Sequence, residues 1–519
     1  MTATPSALAA PLAAAPLPAL TRRACLARAA MLCALPGMAA PAQAQAQPGN
    51  GQRAAILNLS LEPDSLDPTM AAAAAVGEVT HYNILEGLTK IEENGNVTPL
   101  LAASWETDPG GQSYRFRLRE GVRFHDGSAL DADAVRFSFV RAAAPGSTNK
   151  ARRALFDNIA TVETPDAHTV VLNLHRPDAH LLFRLGESTA VVLHPNSAGQ
   201  AARAPVGTGP YQVSGQQRGH SIALARAPHA RAAQQVRLDG AVFRFIHDPA
   251  ARQAALDAGE VDLFFQFATR GLRHFQDNAR YQVLIGSSSG KGMLALNHRR
   301  APLGDVRVRR AITHAIDRAG FIRQALDGHG VAIGSHFAPT DPGYLHLDSL
   351  YPYDPQRARA LLREAGVATP LRLELALPPV PYAQAGGPIV AQDLARVGIT
   401  AQLRPLPWHE WLAGPFRGDF DMTIINHVEP LDYLIYTDPD YYFGYDSAEF
   451  RLLATQHAQA SHPREQQQLF ARLQRHLAHD AANAWIFTPN LVTVVRKGLR
   501  GAWMNYPIFA HDIGAMWWE

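Results

Sequence analysis

Cysteine is almost absent: the 519-residue chain has two, Cys25 and Cys33, and both lie in its first 46 residues. If that stretch is removed as a leader, no disulfide, thiol nucleophile or thiolate metal site is left. An excess of one charge is lacking as well. Lys and Arg number 48 against 46 Asp and Glu, a formal +2, and no basic block occurs, which excludes a nucleic-acid wrapper. No segment after the leader is an uninterrupted apolar run of about eighteen residues, so none reads as a membrane span. Signatures of common enzymes are missing too. There is no HExxH and no GxSxG. Gly286-Ser287-Ser288-Ser289-Gly290-Lys291-Gly292 is one residue short of a phosphate loop, and Gly292 stands where a hydroxyl would hold magnesium. That segment reads as a flexible linker. Among the 22 histidines, His476 with His479 and His457 with Ser461 can share a helix face. Nearby Arg472 and Arg475 make these solvated polar faces rather than metal ligands. No enzyme activity, cofactor or metal site is expected.

What is present is material for cores. Apolar residues make up 47% of the chain, with 21 Phe, 14 Tyr and 7 Trp, enough for two or three domains. Residues 1–46 contain no acid, and Arg22, Arg23 and Arg28 precede or interrupt a run through Met31, Leu32 and Leu35. Pro41-Ala42-Gln43-Ala44-Gln45-Ala46 then offers small residues at alternating positions, so 1–46 reads as a signal peptide cut after Ala44 or Ala46. Thr21-Arg22-Arg23-Ala24-Cys25-Leu26 resembles the twin-arginine export signal, with Ala24 and Cys25 departing from its usual pattern.

The remainder alternates helical and strand patterns. Strands are expected at Ala54–Leu59, at Tyr114/Phe116/Leu118 and at Thr169–Leu174, and helices at 77–88 and after Asp131. Pro249 and Gly259 bracket a helix before a strand at Val261–Phe265. Asp305 opens one long amphipathic helix with Val308, Ile312, Ala315, Ile316, Ile322 and Leu326 on its stripe. Asp354-Pro355 starts another, Leu371–Leu377 is a strand, Pro388–Val397 a helix and Ile399–Leu403 a strand. A helix over Pro463–Leu477 and a strand over Leu491–Val495 follow. This β-α-β order gives a mixed α/β class.

One segment carries recognition chemistry. Trp408-His409-Glu410-Trp411, Asn426-His427-Val428-Glu429-Pro430-Leu431-Asp432-Tyr433, Tyr436 and Asp438-Pro439-Asp440-Tyr441-Tyr442-Phe443 interleave carboxylates with large rings. Rings shed water over a wide area, while a few carboxylates fix orientation and favour a cationic group. The candidate ligand-binding residues are Glu429, Asp432, Trp408, Trp411, His427 and Tyr436.

Four passages resemble the large periplasmic solute-binding proteins of ABC importers, the oligopeptide/dipeptide/nickel-binding family. They are Leu85–Leu88 with Leu100–Glu106; Tyr114–Gly127 running on through Asp131–Val135; Pro205-Val206-Gly207-Thr208-Gly209-Pro210-Tyr211; and Leu294–Asn297 with Asp305–Ile312 and Ala315–Arg318. The resemblance implies an α/β, two-lobed periplasmic-binding-protein clamp with an additional small domain. Lobe I would gather 47–80, 205–290 and 499–519, the small domain 81–204, and lobe II 291–498. Leu294–Asn297 and Val492–Leu499 would be the hinge crossings. It also implies a monomeric periplasmic receptor that binds a peptide or peptide-like solute and delivers it to an inner-membrane ABC permease. A nickel-chelator or haem-type ligand on the same fold is an alternative, as is a non-transport enzyme or signalling receptor derived from the clamp. In peptide-binding relatives an acidic residue after the strand matching Phe420–Ile425 holds the α-amino group, which points to Glu429 or Asp432. The arginine that dipeptide-binding relatives use near the helix before Ala395–Ile399 is absent here.

Overall fold

The computed structural model describes residues 53–519 apart from 72, 266–271, 273, 274, 276, 277 and 461. The expected leader with Cys25 and Cys33, and Ser461 beside His457, lie outside the described residues.

Strand β1 (Ala54–Leu59) opens a large sheet. The chain leaves it through the helix Ala74–Thr80, which stops well short of the expected residue 88. Tyr82 takes φ 65°, and the Ile84 and Leu85 N–H groups both fold back onto the Thr80 carbonyl. A short hairpin, β2 (Thr89–Ile91) and β3 (Val97–Pro99), leads into β4 (Ala102–Thr107), β5 (Ser113–Leu118), β6 (Ile159–Asp166) and β7 (Thr169–Leu174). The last four form a separate sheet in the order β4-β5-β7-β6. On β5, Tyr114, Phe116 and Leu118 are buried while Arg115 and Arg117 face water, the period-two pattern expected. Asp131 caps the helix Ala132–Ala143, which seats Val135 and Phe139 in this sheet's own core.

The chain then returns to the large sheet as β8 (Tyr211–Gln217), β9 (Ser221–Arg226), β10 (Gly240–Phe245), β11 (Leu263–Phe264) and β12 (Tyr281–Ser287). It continues through β13 (Lys291–Leu296), β14 (Gly330–Ala332), β15 (Leu371–Leu377), β16 (Ile399–Pro405), β17 (Met422–His427) and the long β18 (Ala484–Arg496). β18 ties the two ends together. Its Ala484–Phe487 portion pairs with β13, and Asn490–Arg496 pairs with β12.

Several expectations are corrected. The helix after Asp305 is broken: Val306–Ala315 ends at Ile316, and Asp317 caps a second helix, Arg318–Ala325. A second capping aspartate splits the helix while leaving its apolar stripe continuous. The helix placed at Pro388 begins at Pro381, which suits the first turn, and Pro388 is accommodated inside it. Leu294–Leu296 lie buried within β13, and Ser288-Ser289-Gly290 form the short link between β12 and β13. The stretch 286–292 is not a flexible linker. A Cβ on Gly286 would lie 1.6 Å from the Met504 carbonyl oxygen, and one on Gly292 would lie 2.4 Å from the Phe487 ring. These glycines let backbone and rings close at this link. His457, expected on a solvated face, is buried, with Nδ1 3.1 Å from the Tyr433 hydroxyl.

Candidate functional site

A cavity of about 590 Å³ opens where three parts of the chain meet. Pro68–Gly77 and Phe509 form one wall, Lys150–Ala154 with Arg176 and Arg184–Thr189 a second, and Glu429–Ile435 the third. A smaller cavity of about 290 Å³ shares Ile508 and Phe509 and is bounded by Ser288–Gly290 and Pro489–Val492. The smaller cavity therefore lies where β18 passes from pairing with β13 to pairing with β12.

The third wall follows β17. Leu431 sits at φ 54°, a left-handed conformation that costs a branched residue energy, and Asp432 then begins a short turn through Thr437. What holds this turn is a buried polar cluster. Lys291 opens β13 with its side chain 1% exposed, and its ammonium lies 2.8 Å from Asp432 Oδ1. The same ammonium donates to the Glu429 carbonyl. His336 Nε2 is 2.9 Å from Asp432 Oδ1 and His427 Nδ1 is 3.0 Å from Oδ2. Each ring's other nitrogen meets a tyrosine hydroxyl at 3.1 Å, Tyr436 for His336 and Tyr442 for His427. In this pattern each ring can donate to Asp432 through one nitrogen while its other nitrogen meets a tyrosine hydroxyl.

Burial alone would raise the Asp432 carboxyl, but Lys291, His336 and His427 outweigh it and hold it well below the usual carboxylate range. Burial pushes His336 down to about 4 against the pull of Asp432. His336, His427 and Asp432 offer ligand atoms within 4.8 Å of one another. The Lys291 ammonium already supplies the positive charge that a cation there would bring, so the cluster reads as a saturated hydrogen-bond network.

The candidate residues separate accordingly. Glu429 and Asp432 both line the larger cavity. Glu429 is exposed, and its carboxylate has no partner among the described residues. His427 and Tyr436 stand behind Asp432 and do not line the cavity. Trp408 and Trp411 stack on each other at 5.2 Å, with Trp411 Nε1 donating to Thr423 Oγ1 at 3.0 Å, and neither lines either cavity. Sequence reasoning missed Lys291, His336 and the cations Lys150, Arg153, Arg176 and Arg184. Lys291 had a readable signal: a lysine at the head of a wholly apolar strand needs a carboxylate partner.

The model for bacterial extracellular solute-binding proteins, family 5 (middle region), matches residues 96–447. The chain belongs to this family. Relatives include the dipeptide-binding protein of Pseudomonas aeruginosa, 28% identical over 395 residues, covering 70% of this chain and 74% of that protein. The dipeptide-binding protein of Escherichia coli K12 is 27% identical over 413 residues, covering 74% and 76% respectively. Among solved structures, HbpA2 from Haemophilus parasuis superposes with a TM-score of 0.80 at 20% identity, over 90% of this chain and all of that one. The family 5 fold is a two-lobed α/β clamp with an additional small domain. No helix among the described residues is long and apolar enough to cross a membrane.

Buried histidines give this solute-binding protein a definite acid response. Burial lowers His298 and His457 to about 4, and His81 and His511 to about 3. In the unfolded chain these rings charge near pH 6.5, so between about 6.5 and 4 the unfolded state binds more protons and stability falls as pH falls. Buried Glu78 and Asp341 act oppositely, because burial raises them to about 7 and about 6 and they take up protons in the folded state first. With His336, five rings against two carboxyls leave a net loss on the order of 4 kcal/mol per pH unit between about pH 6 and 4.5. Scanning calorimetry should show the unfolding temperature dropping steeply below pH 6; a flat profile to pH 4.5 would contradict the neutral, buried state of these rings.

Proposed function

We propose that this chain is a periplasmic, monomeric receptor that binds a peptide or peptide-like solute and hands it to an inner-membrane ABC permease, without catalysing a reaction. The observation that carries the reading is the cavity of about 590 Å³, whose lining holds both the carboxylate of Glu429, unpartnered among the described residues, and several basic side chains. A free carboxylate and cations in one lining suit a short zwitterion. The names of the Pseudomonas and Escherichia relatives support the same class. Glu429 is the proposed partner of the solute's ammonium, and Asp432, already saturated by three donors, is the proposed organiser of the loop that presents it.

The proposed partition keeps lobe I at 47–80, 205–290 and 499–519, the small domain at 81–204 and lobe II at 291–498, with the strand exchange at 288–290 and near 489 as the flexing line. Two connections there let lobes rotate without rebuilding either core. Native mass spectrometry of protein purified gently from its own host should reveal a co-purified small peptide. Scattering should then give a smaller radius of gyration for the loaded protein than for the stripped one. An unchanged radius at calorimetric saturation would remove the clamp mechanism. Accumulation of a cleaved peptide would remove the non-catalytic reading.

A further inference from the structure

The small domain contributes an unneutralised basic wall to the cleft. Lys150, Arg153 and Arg176 line the larger cavity, are exposed, and have no carboxylate oxygen within 4.0 Å of their charged ends among the described residues. Their neighbour Arg184 differs, because its Nε is 3.0 Å from Asp178. On the Glu429–Ile435 wall, Asp432 is matched by Lys291 at 2.8 Å and contributes no free charge. Glu187, on the small-domain side, has its carboxyl raised by burial, while Arg184 and Lys150 draw it back down, so it offsets part of the charge of Lys150. Glu429 is the one exposed acid of the lining, which holds the three exposed cations Lys150, Arg153 and Arg176.

A simple zwitterion would leave most of that positive field unanswered. Like charges gathered around a cavity repel one another until an anion enters, and closure over the ligand strengthens each contact by removing water. We infer that Lys150, Arg153 and Arg176 form an anion subsite selecting a small solute with one ammonium and at least two carboxylates. The shared chemistry fits an acidic dipeptide or a conjugate of an amino acid with a dicarboxylate. The inference rests on the proposed solute-binding role and narrows it.

The test uses the full mature chain, stripped of ligand by reversible denaturation, with titration calorimetry of three probes. They are L-Ala-L-Glu, its uncharged isostere L-Ala-L-Gln, and a secondary-amine conjugate of alanine with glutarate that lacks a peptide bond. The expected result is that L-Ala-L-Glu binds about ten- to a hundredfold tighter than L-Ala-L-Gln. That ratio should collapse towards one in Lys150→Gln/Arg153→Gln/Arg176→Gln, while the unfolding temperature stays at the parent's value because all three side chains are exposed. Equal binding of the two dipeptides by the parent protein would overturn the anion subsite and leave the peptide reading intact. Binding of the conjugate alone, lost in the triple variant, would support the subsite and overturn the peptide reading. Failure of all three probes would overturn both.

Discussion

Asp432→Asn should destabilise the protein by about 3–5 kcal/mol, read as a lower urea midpoint with an unchanged slope. The substitution preserves shape and removes only the charge. Lys291 is left with a side chain 1% exposed and no carboxylate within 4.0 Å among the described residues, while one of His336 and His427 exchanges its acceptor, at 2.9 or 3.0 Å, for an NH2 donor. Breaking one half of a buried pair is costly because the remaining charge stays desolvated. The paired change Lys291→Met with Asp432→Leu should recover part of the loss, since it removes both charges together. A fall of less than about 1 kcal/mol for Asp432→Asn would mean that the ammonium is solvated after all. Binding should weaken too, because Lys291 also holds the Glu429 carbonyl and so sets the position of the cleft loop.

The same cluster marks where reading the chain alone runs out. Local rules locate what local forces decide. Asp131, Asp248 and Asp354 cap the helices they precede, Gly259 takes φ 73° after the last turn, and β5 alternates as drawn. Asp317 shows the limit of those rules, because a capping residue inside a continuous apolar stripe looks like one more polar position until the backbone turns there. Contacts distant in sequence are harder still. Lys291 meets the Glu429 carbonyl across 138 positions, and His336 meets Asp432 across 96. Neither partner has a spacing that a single sequence could betray. The aromatic and acidic segment was visible as a composition, but composition does not say which rings face the cleft. Trp411 sits on a short helix whose indole reaches back to Thr423 on β17, so it packs behind the strand. The basic wall was invisible for a different reason: Lys150, Arg153 and Arg176 look like ordinary surface cations until the fold brings them into one cavity lining with Glu429.

Glu429→Gln should leave stability within about 0.5 kcal/mol of the parent and weaken binding of L-Ala-L-Glu by about 2–4 kcal/mol, roughly 30-fold to 1,000-fold. The contrast with Asp432 follows from their surroundings. Glu429 is exposed and its carboxylate touches no donor, so the free protein loses little when the charge goes. In the proposed closed complex the same carboxylate would face the solute's ammonium away from bulk water. Its removal there strands a desolvated cation. A cycle with the N-acetylated dipeptide isolates the contact. Acetylation should weaken binding to the parent by a similar factor and have little further effect on Glu429→Gln, because both changes delete one interaction. If acetylation and Glu429→Gln each cost binding but their effects simply add, the ammonium is held elsewhere. If neither costs more than about 1 kcal/mol, the ammonium makes no dehydrated contact with Glu429, and its proposed anchoring role is wrong.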